Sequence, residues 1–235
     1  MSVFHFKEFS VRQSDNAQKI GTDSMLLGAW TASGHERILD IGTGTGILAL
    51  MMAQKNPSSS IVAIEPVKEN FLEAAHNFKV SAYSHQILPI ETELQQFGAI
   101  EKFDLIICNP PYFNATYLSE SSQRNQARHQ THLSAHDLYE CGSDLLAEDG
   151  SFNLIIPAEE IEHHLHIAAH NGLYLHKILH TLSPNGRRKR ALITLGFQEK
   201  EYTEEELLVK DANNQYSEEY IQLTKDFYQK NLREN

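Results

Sequence analysis

Several features that would assign a chain to a special class are missing here. Cysteine is scarce: only Cys108 and Cys141 occur, both in apolar surroundings, so a disulfide framework is excluded. The first residues carry no long apolar segment, and no stretch approaches the length needed to cross a bilayer. The expectation is a cytoplasmic protein without a membrane partner. Excess positive charge is also lacking, with 20 Lys and Arg against 31 Asp and Glu and a net charge of −11. This excludes a surface coated in basic residues, so any nucleic-acid partner has to use a local patch. No internal repeat or low-complexity segment is present, and nothing points to an obligate protein partner.

What is there describes a folded α/β chain. The 235 residues are 41% hydrophobic and 22% charged, enough for one full core. Residues 1–34 read as an arm and a helix. In the arm, Phe4, Phe6, Phe9 and Val11 alternate loosely with polar residues, as in a short hairpin. Asp23 to Trp30 then reads as a capped helix. From 35 to 198 strands and helices alternate. Strands are predicted at 37–41, 60–64, 87–90, 103–108 and 151–156, with helices at 47–54, 67–78, 135–146 and 158–170. A last strand pair, 173–182 and 190–197, flanks a Pro-Asn-Gly turn. This rhythm predicts a parallel sheet with helices on both faces and an antiparallel hairpin at its edge. Residues 199–235 form an acidic extension, with ten acidic and five basic side chains from Glu199 on. Its Ser217–Tyr228 stretch has helical aromatic spacing and is expected to dock on the core within a single domain, 1–235.

Two stretches carry chemistry. Asp40-Ile41-Gly42-Thr43-Gly44-Thr45-Gly46 is a strand end running into a glycine turn and then a helix. A dinucleotide fingerprint needs G-x-G-x-x-G, but here the third glycine comes one residue early. Asp40 would also repel a pyrophosphate. A ligand with a cationic amine and no phosphate explains the carboxylate better, and S-adenosylmethionine meets both conditions. The D-x-G-x-G-x-G pattern resembles the first motif of class I methyltransferases. By that resemblance Asp40, Gly42, Thr43, Gly44 and Gly46 hold the amino-acid side of the cofactor. Glu65, closing the second strand, holds the ribose, and Glu91 or Glu93, with Glu93 favoured, touches the adenine.

The second stretch is Asn109-Pro110-Pro111-Tyr112, at the carboxyl end of the apolar 103–108 strand. It resembles the catalytic motif of methyltransferases that modify an exocyclic or amide nitrogen. The Asn109 side chain and the Pro110 carbonyl would accept the two N–H bonds of the amine and turn its lone pair toward the methyl group. Pro110 and Pro111 stiffen the turn, Tyr112 stacks the base, and Asn109 also lies beside the cofactor.

The chain resembles the bacterial tRNA1(Val) adenine-N6 methyltransferases over nearly its full length. Lys19 to Trp30, Arg124-Asn125-Gln126-Ala127-Arg128-His129 and the acidic tail around Tyr216-Ser217-Glu218-Glu219-Tyr220 carry that resemblance beside the two motifs. It implies a Rossmann-like fold with a seven-stranded, mostly parallel sheet. It also implies a tRNA substrate methylated at the adenine 3′ of the anticodon. Arg124 and Arg128, and the run Arg187, Arg188, Lys189 at the hairpin turn, are candidate RNA contacts. Methylation of a release-factor glutamine, methylation of ribosomal RNA, and a non-catalytic RNA-binding module remain as alternatives. His163, His166 and His170 share a helix face but lack a converging fourth ligand, so no metal is expected.

Overall fold

The computed structural model describes residues 2–14, 20–111, 133–229 and 232. In chain order they form β1 (Ser2–His5), β2 (Ser10–Gln13), α1 (Thr22–Trp30), β3 (Arg37–Ile41), α2 (Ile47–Lys55), β4 (Ser60–Glu65), α3 (Lys68–Val80), β5 (Ile87–Glu91) and β6 (Phe103–Cys108). Further along come α4 (Ala135–Leu145), β7 (Leu146–Pro157), α5 (Ile161–His170), β8 (Tyr174–Leu182), β9 (Arg188–Gly196), β10 (Thr203–Leu208) and α6 (Glu218–Thr224).

The central strands are apolar on both sides because helices cover both faces. On β6, Leu105 and Ile107 join one core cluster with Leu27, Met51 and Phe78 from α1, α2 and α3. Their neighbours Ile106 and Cys108 point the other way, into a cluster with Leu138 and Tyr139 of α4 and Ile167 of α5. Burial of Cys108 pushes its thiol well above the usual range, which makes it an inert core residue.

Eight strands pair in the order β10-β8-β9-β7-β6-β3-β4-β5, one more than the seven expected. Only β9 runs antiparallel to its neighbours, β7 and β8. The hairpin is therefore not the sheet edge: β9 inserts between β7 and β8, and β10 adds parallel to β8 outside it. The extra strand comes from the acidic extension, whose 204–210 stretch has strand-like residues at its end. Its carboxylates have partners. Glu205 pairs with Lys177 at 3.2 Å, and Glu204 and Glu206 meet Arg188 at 2.8 and 2.7 Å. Pro89 sits inside β5 without breaking it, because β5 is the opposite edge and, among the described residues, pairs only with β4.

The arm and the tail meet. β1 and β2 form the expected hairpin, and Phe6 bridges to Tyr228 while the Lys7 N–H donates to the Phe227 carbonyl at 2.8 Å. Phe6, Val11, Tyr220 and Phe227 are buried in the same cluster as α1, α2 and α3. Tyr220 is 0% exposed. Replacing Tyr220 by Ala is therefore expected to cost about 3–5 kcal/mol in urea unfolding, the range for a buried aromatic. A cost below about 1 kcal/mol would mean that the tail is an appendage and not part of the core.

Candidate active site

The site forms where the strand order reverses. From β3 the chain runs outward through β4 and β5, then returns to place β6 on the other side of β3. Ligands bind at such a switch point, beyond the carboxyl ends of the strands. Ile41 lies opposite Cys108 in the ladder, so Gly42 and Asn109 leave the sheet side by side. Between them opens a cavity of about 270 Å³, lined on one wall by Gly42, Thr43, Gly44 and Thr45 and on the other by Asn109, Pro110 and Pro111.

Asp40 sits beneath the glycine turn, fully buried. Its Oδ2 accepts from the Thr43 hydroxyl at 2.5 Å and from the Ala49 N–H at 3.1 Å. Ala49 is the third residue of α2, whose N-cap, Gly46, makes no side-chain cap bond. A carboxylate from the end of β3 thus serves the helix N-terminus in place of an N-cap side chain. Burial raises the Asp40 carboxyl to about 7, against the two hydrogen bonds that lower it and with a smaller upward push from Glu65. Its Oδ1 is buried and has no hydrogen-bond partner among the described residues.

The glycines answer to two different constraints. Gly42 and Gly44 hold φ of +67° and +58°. A Cβ at Gly42 would meet nothing within 4 Å, and one at Gly44 would meet only the Gly42 carbonyl, at 4.0 Å. These positions need the left-handed backbone and face open space. Gly46 also has positive φ, and a Cβ there would lie 2.4 Å from the Phe78 ring, so it serves helix packing. The Gly44 N–H donates to Glu65 Oε2 at 3.0 Å, while Oε1 of Glu65 accepts from the Val67 N–H and the Asn70 amide. These bonds hold the Glu65 carboxylate against the turn.

The methyltransferase small domain family matches residues 8–163. Named tRNA1(Val) (adenine(37)-N6)-methyltransferases are similar over almost the whole chain. One from Bacteroides thetaiotaomicron is 39% identical and one from Pseudoalteromonas translucida 38% identical. The alignments cover 96% and 98% of this chain and 96% and 100% of the relatives. The chain belongs to the tRNA1(Val) (adenine(37)-N6)-methyltransferase family. Solved structures share the class I fold at low identity. A predicted O-methyltransferase from Agrobacterium tumefaciens superposes with a TM-score of 0.66 at 18% identity, covering 87% of this chain and 96% of its own. The tRNA m1G37 methyltransferase of M. jannaschii gives 0.59 at 13% identity, over 85% of this chain and 55% of that one.

S-adenosylmethionine is the methyl donor this family and fold imply, and the residues present fit it. Asp40 offers an unpartnered buried oxygen, the turn offers open glycines, and a carboxylate already holds the Ala49 N–H of the α2 N-terminus. Among the residues expected from the sequence, Gly42, Thr43, Gly44, Asn109, Pro110 and Pro111 come together at the cavity. Glu91 lies in register beside Glu65. Glu93 is exposed and accepts a bond from Gln96 at 3.0 Å. Tyr112, Arg124 and Arg128 lie outside the described residues. At the hairpin, Arg187 and Lys189 are exposed, whereas Arg188 is committed to Glu204 and Glu206. Among the described residues no group of three or more His, Cys, Asp or Glu is placed to hold a metal. The buried histidine of α5 is His164, bonded to the Tyr139 hydroxyl at 2.8 Å.

Sequence reading missed the first turn of α1. Its N-cap is Gly21, with no side-chain cap bond, so the polar residues Thr22, Asp23 and Ser24 are not spent on capping. All three line the cavity, and Asn109 Nδ2 donates to Ser24 Oγ at 3.1 Å. The available signal was three polar residues opening an otherwise apolar helix.

The Asp40 carboxyl gives a pH signature. Its folded value lies above its unfolded one, so the folded chain takes up this proton first as the pH falls. The charged form is thus a cost to the fold, complete above about pH 7 and removed toward pH 4. Relative to Asp40→Asn, the wild-type protein is expected to lose on the order of 2–3 kcal/mol of stability between pH 5 and pH 8. Denaturation midpoints of both proteins across that range check this, and a constant difference would contradict it.

Proposed function

We propose that this chain transfers the methyl group of S-adenosylmethionine to the exocyclic N6 amine of an adenine in tRNA. The adenine 3′ of the anticodon of tRNA1(Val) is the proposed target. The observation that carries the reading is the facing of the Asp40-supported glycine turn and the Asn109-Pro110-Pro111 turn across one cavity. The names of its relatives supply the tRNA.

The cofactor, when bound, supplies a methyl group activated by a sulfonium. The chain has to make the amine nucleophilic and hold it in line. The adenine amine is weak because its lone pair is delocalised into the ring. Asn109 Oδ1 accepts one of its N–H bonds and the Pro110 carbonyl the other, which draws the lone pair out of the ring plane. Pro110 and Pro111 fix both acceptors before the substrate arrives, so no reorganisation is needed at the moment of transfer. Tyr112 provides the stacking face. No side chain has to deprotonate the amine first, since its proton is more acidic once the methyl group is attached. The base edge has to enter the cavity, which requires an unpaired or flipped nucleotide, as an anticodon-loop adenine is. Glu65 takes the ribose hydroxyls in competition with its present bond to the Gly44 N–H. Arg187 and Lys189, the exposed cations of the hairpin, hold RNA phosphates, as do Arg124 and Arg128.

Two experiments test this. Label from S-adenosylmethionine is expected in tRNA as N6-methyladenosine, with Asn109→Ala lowering kcat by about 10²–10³. Label appearing instead in a release factor or in ribosomal RNA would move the substrate. For the hairpin, Arg187→Ala with Lys189→Ala is expected to weaken tRNA binding and to lower the salt slope by about one unit per phosphate contact. Cofactor affinity is expected to stay unchanged. An unaltered slope would remove the hairpin from the RNA path.

A further inference from the structure

The cavity that has to admit an RNA nucleotide has a carboxylate on its wall. Asp23 is the ionisable side chain among the described lining residues, and none of them is a lysine, arginine or histidine. A flipped adenosine carries a phosphate on each side, and an unopposed carboxylate there would repel both. Arg190 meets this charge. Its Nε donates to Asp23 Oδ2 at 2.7 Å, and its Nη1 donates to the Lys189 carbonyl at 3.1 Å.

Strand order brings the arginine to this wall. β9 runs antiparallel to β7, so its first residues lie at the carboxyl end of the parallel strands, where the cavity opens. Arg190 pairs with Pro157 of β7, beyond Leu154, and Leu154 lies opposite Cys108 at the end of β6. Two strand spacings, about 10 Å, thus separate the β9 backbone from the line of β6 and Asn109, and the side chain reaches from β9 to α1. This span is comparable to the distance between the edge of a base and its own phosphate. Arg188, earlier on the same strand, turns the other way, to Glu204 and Glu206 of β10 on the far side of β8.

We propose that Arg190 is the phosphate site of the target nucleotide: its guanidinium, set on the cavity wall by Asp23, holds the phosphate on one side of the flipped adenosine. The inference rests on the adenine-N6 reading above. The Arg190 side chain is 28% exposed and that of Asp23 24%, so a phosphate can meet the guanidinium from the solvent side. A guanidinium suits the task, because it is planar, always charged and able to hold a carboxylate and a phosphate on different edges. Arg190 thus does two things at once. It offsets the carboxylate that would repel the RNA, and it fixes where the backbone lies as the base enters. Arg187 and Lys189, further out on the hairpin, add affinity without that positional control.

The test alters one phosphate of the RNA and leaves the fold alone. tRNA1(Val) is assembled with a single neutral methylphosphonate in place of the phosphate 5′ or 3′ of the target adenosine. Affinity and single-turnover methyl transfer are then measured for the wild type and for Arg190→Gln. With natural tRNA, Arg190→Gln is expected to weaken binding about tenfold or more, the worth of a hydrogen bond to a charged group, and to lower the rate. One of the two methylphosphonates is expected to cost the wild type a similar factor and to cost Arg190→Gln nothing further. A purely structural role for Arg190 would not produce that dependence on one phosphate. Losses that multiply at both positions, or a wild-type affinity and rate in Arg190→Gln, would overturn the proposal. If the wild type binds the tRNA but transfers no methyl group, the adenine reading fails by itself, and the binding data alone decide the phosphate site.

Discussion

A buried carboxylate on a helix N-terminus determines what this site can hold. Asp40 lies at the end of β3 with no exposure to solvent, and it receives the Ala49 N–H of α2 and the Thr43 hydroxyl. An uncapped helix start after a glycine turn attracts anions. A side chain from the preceding strand on one of its N–H groups weakens the attraction and puts a negative group under the turn. That placement is costly, since burial pushes the carboxyl up to about 7. Such a cost is common where binding and folding make opposite demands on one group.

The rest of the architecture brings the second half of the site to Asp40. Strand order places β6 against β3, and the register sets Ile41 opposite Cys108. Asn109 therefore emerges beside Gly42 without any loop having to carry it there. Two prolines end β6 abruptly, and α1 closes the cavity with its polar first turn. The first turns of α1 and α2 supply part of the wall and tight turns at the strand ends supply the rest, which suits a reaction that depends on alignment more than on acid–base chemistry.

Most of this was legible in the sequence because each signal had one physical meaning. The runs 37–41 and 103–108 are short, apolar and ended by glycine or proline, and they became β3 and β6 at those bounds. Asp40 before three alternating glycines argued against a phosphate seat by charge and by glycine spacing, and the structure sets that carboxylate on the Ala49 N–H of α2. The less legible parts depended on pairing across long distances. The place of acidic β10 in the sheet is not visible until Lys177 and Arg188 are set beside it, and the same pairing withdraws Arg188 from the basic run. The antiparallel hairpin was visible from its turn, but its insertion between β7 and β10 was not, because strand order is not a local property. Ser24 looked like part of a helix start, and its bond to Asn109 spans 85 residues of sequence.

The most direct test of the account is a calorimetric titration of three ligands against the free protein: S-adenosylhomocysteine, 5′-methylthioadenosine and NAD. The account predicts that S-adenosylhomocysteine binds at least about tenfold tighter than methylthioadenosine, since a single charged contact is worth roughly that much or more. It also predicts no measurable binding of NAD, whose pyrophosphate meets the Asp40 carboxylate. Equal affinities for the first two would show that Asp40 does not read the amino-acid group. Binding of NAD would contradict the central claim.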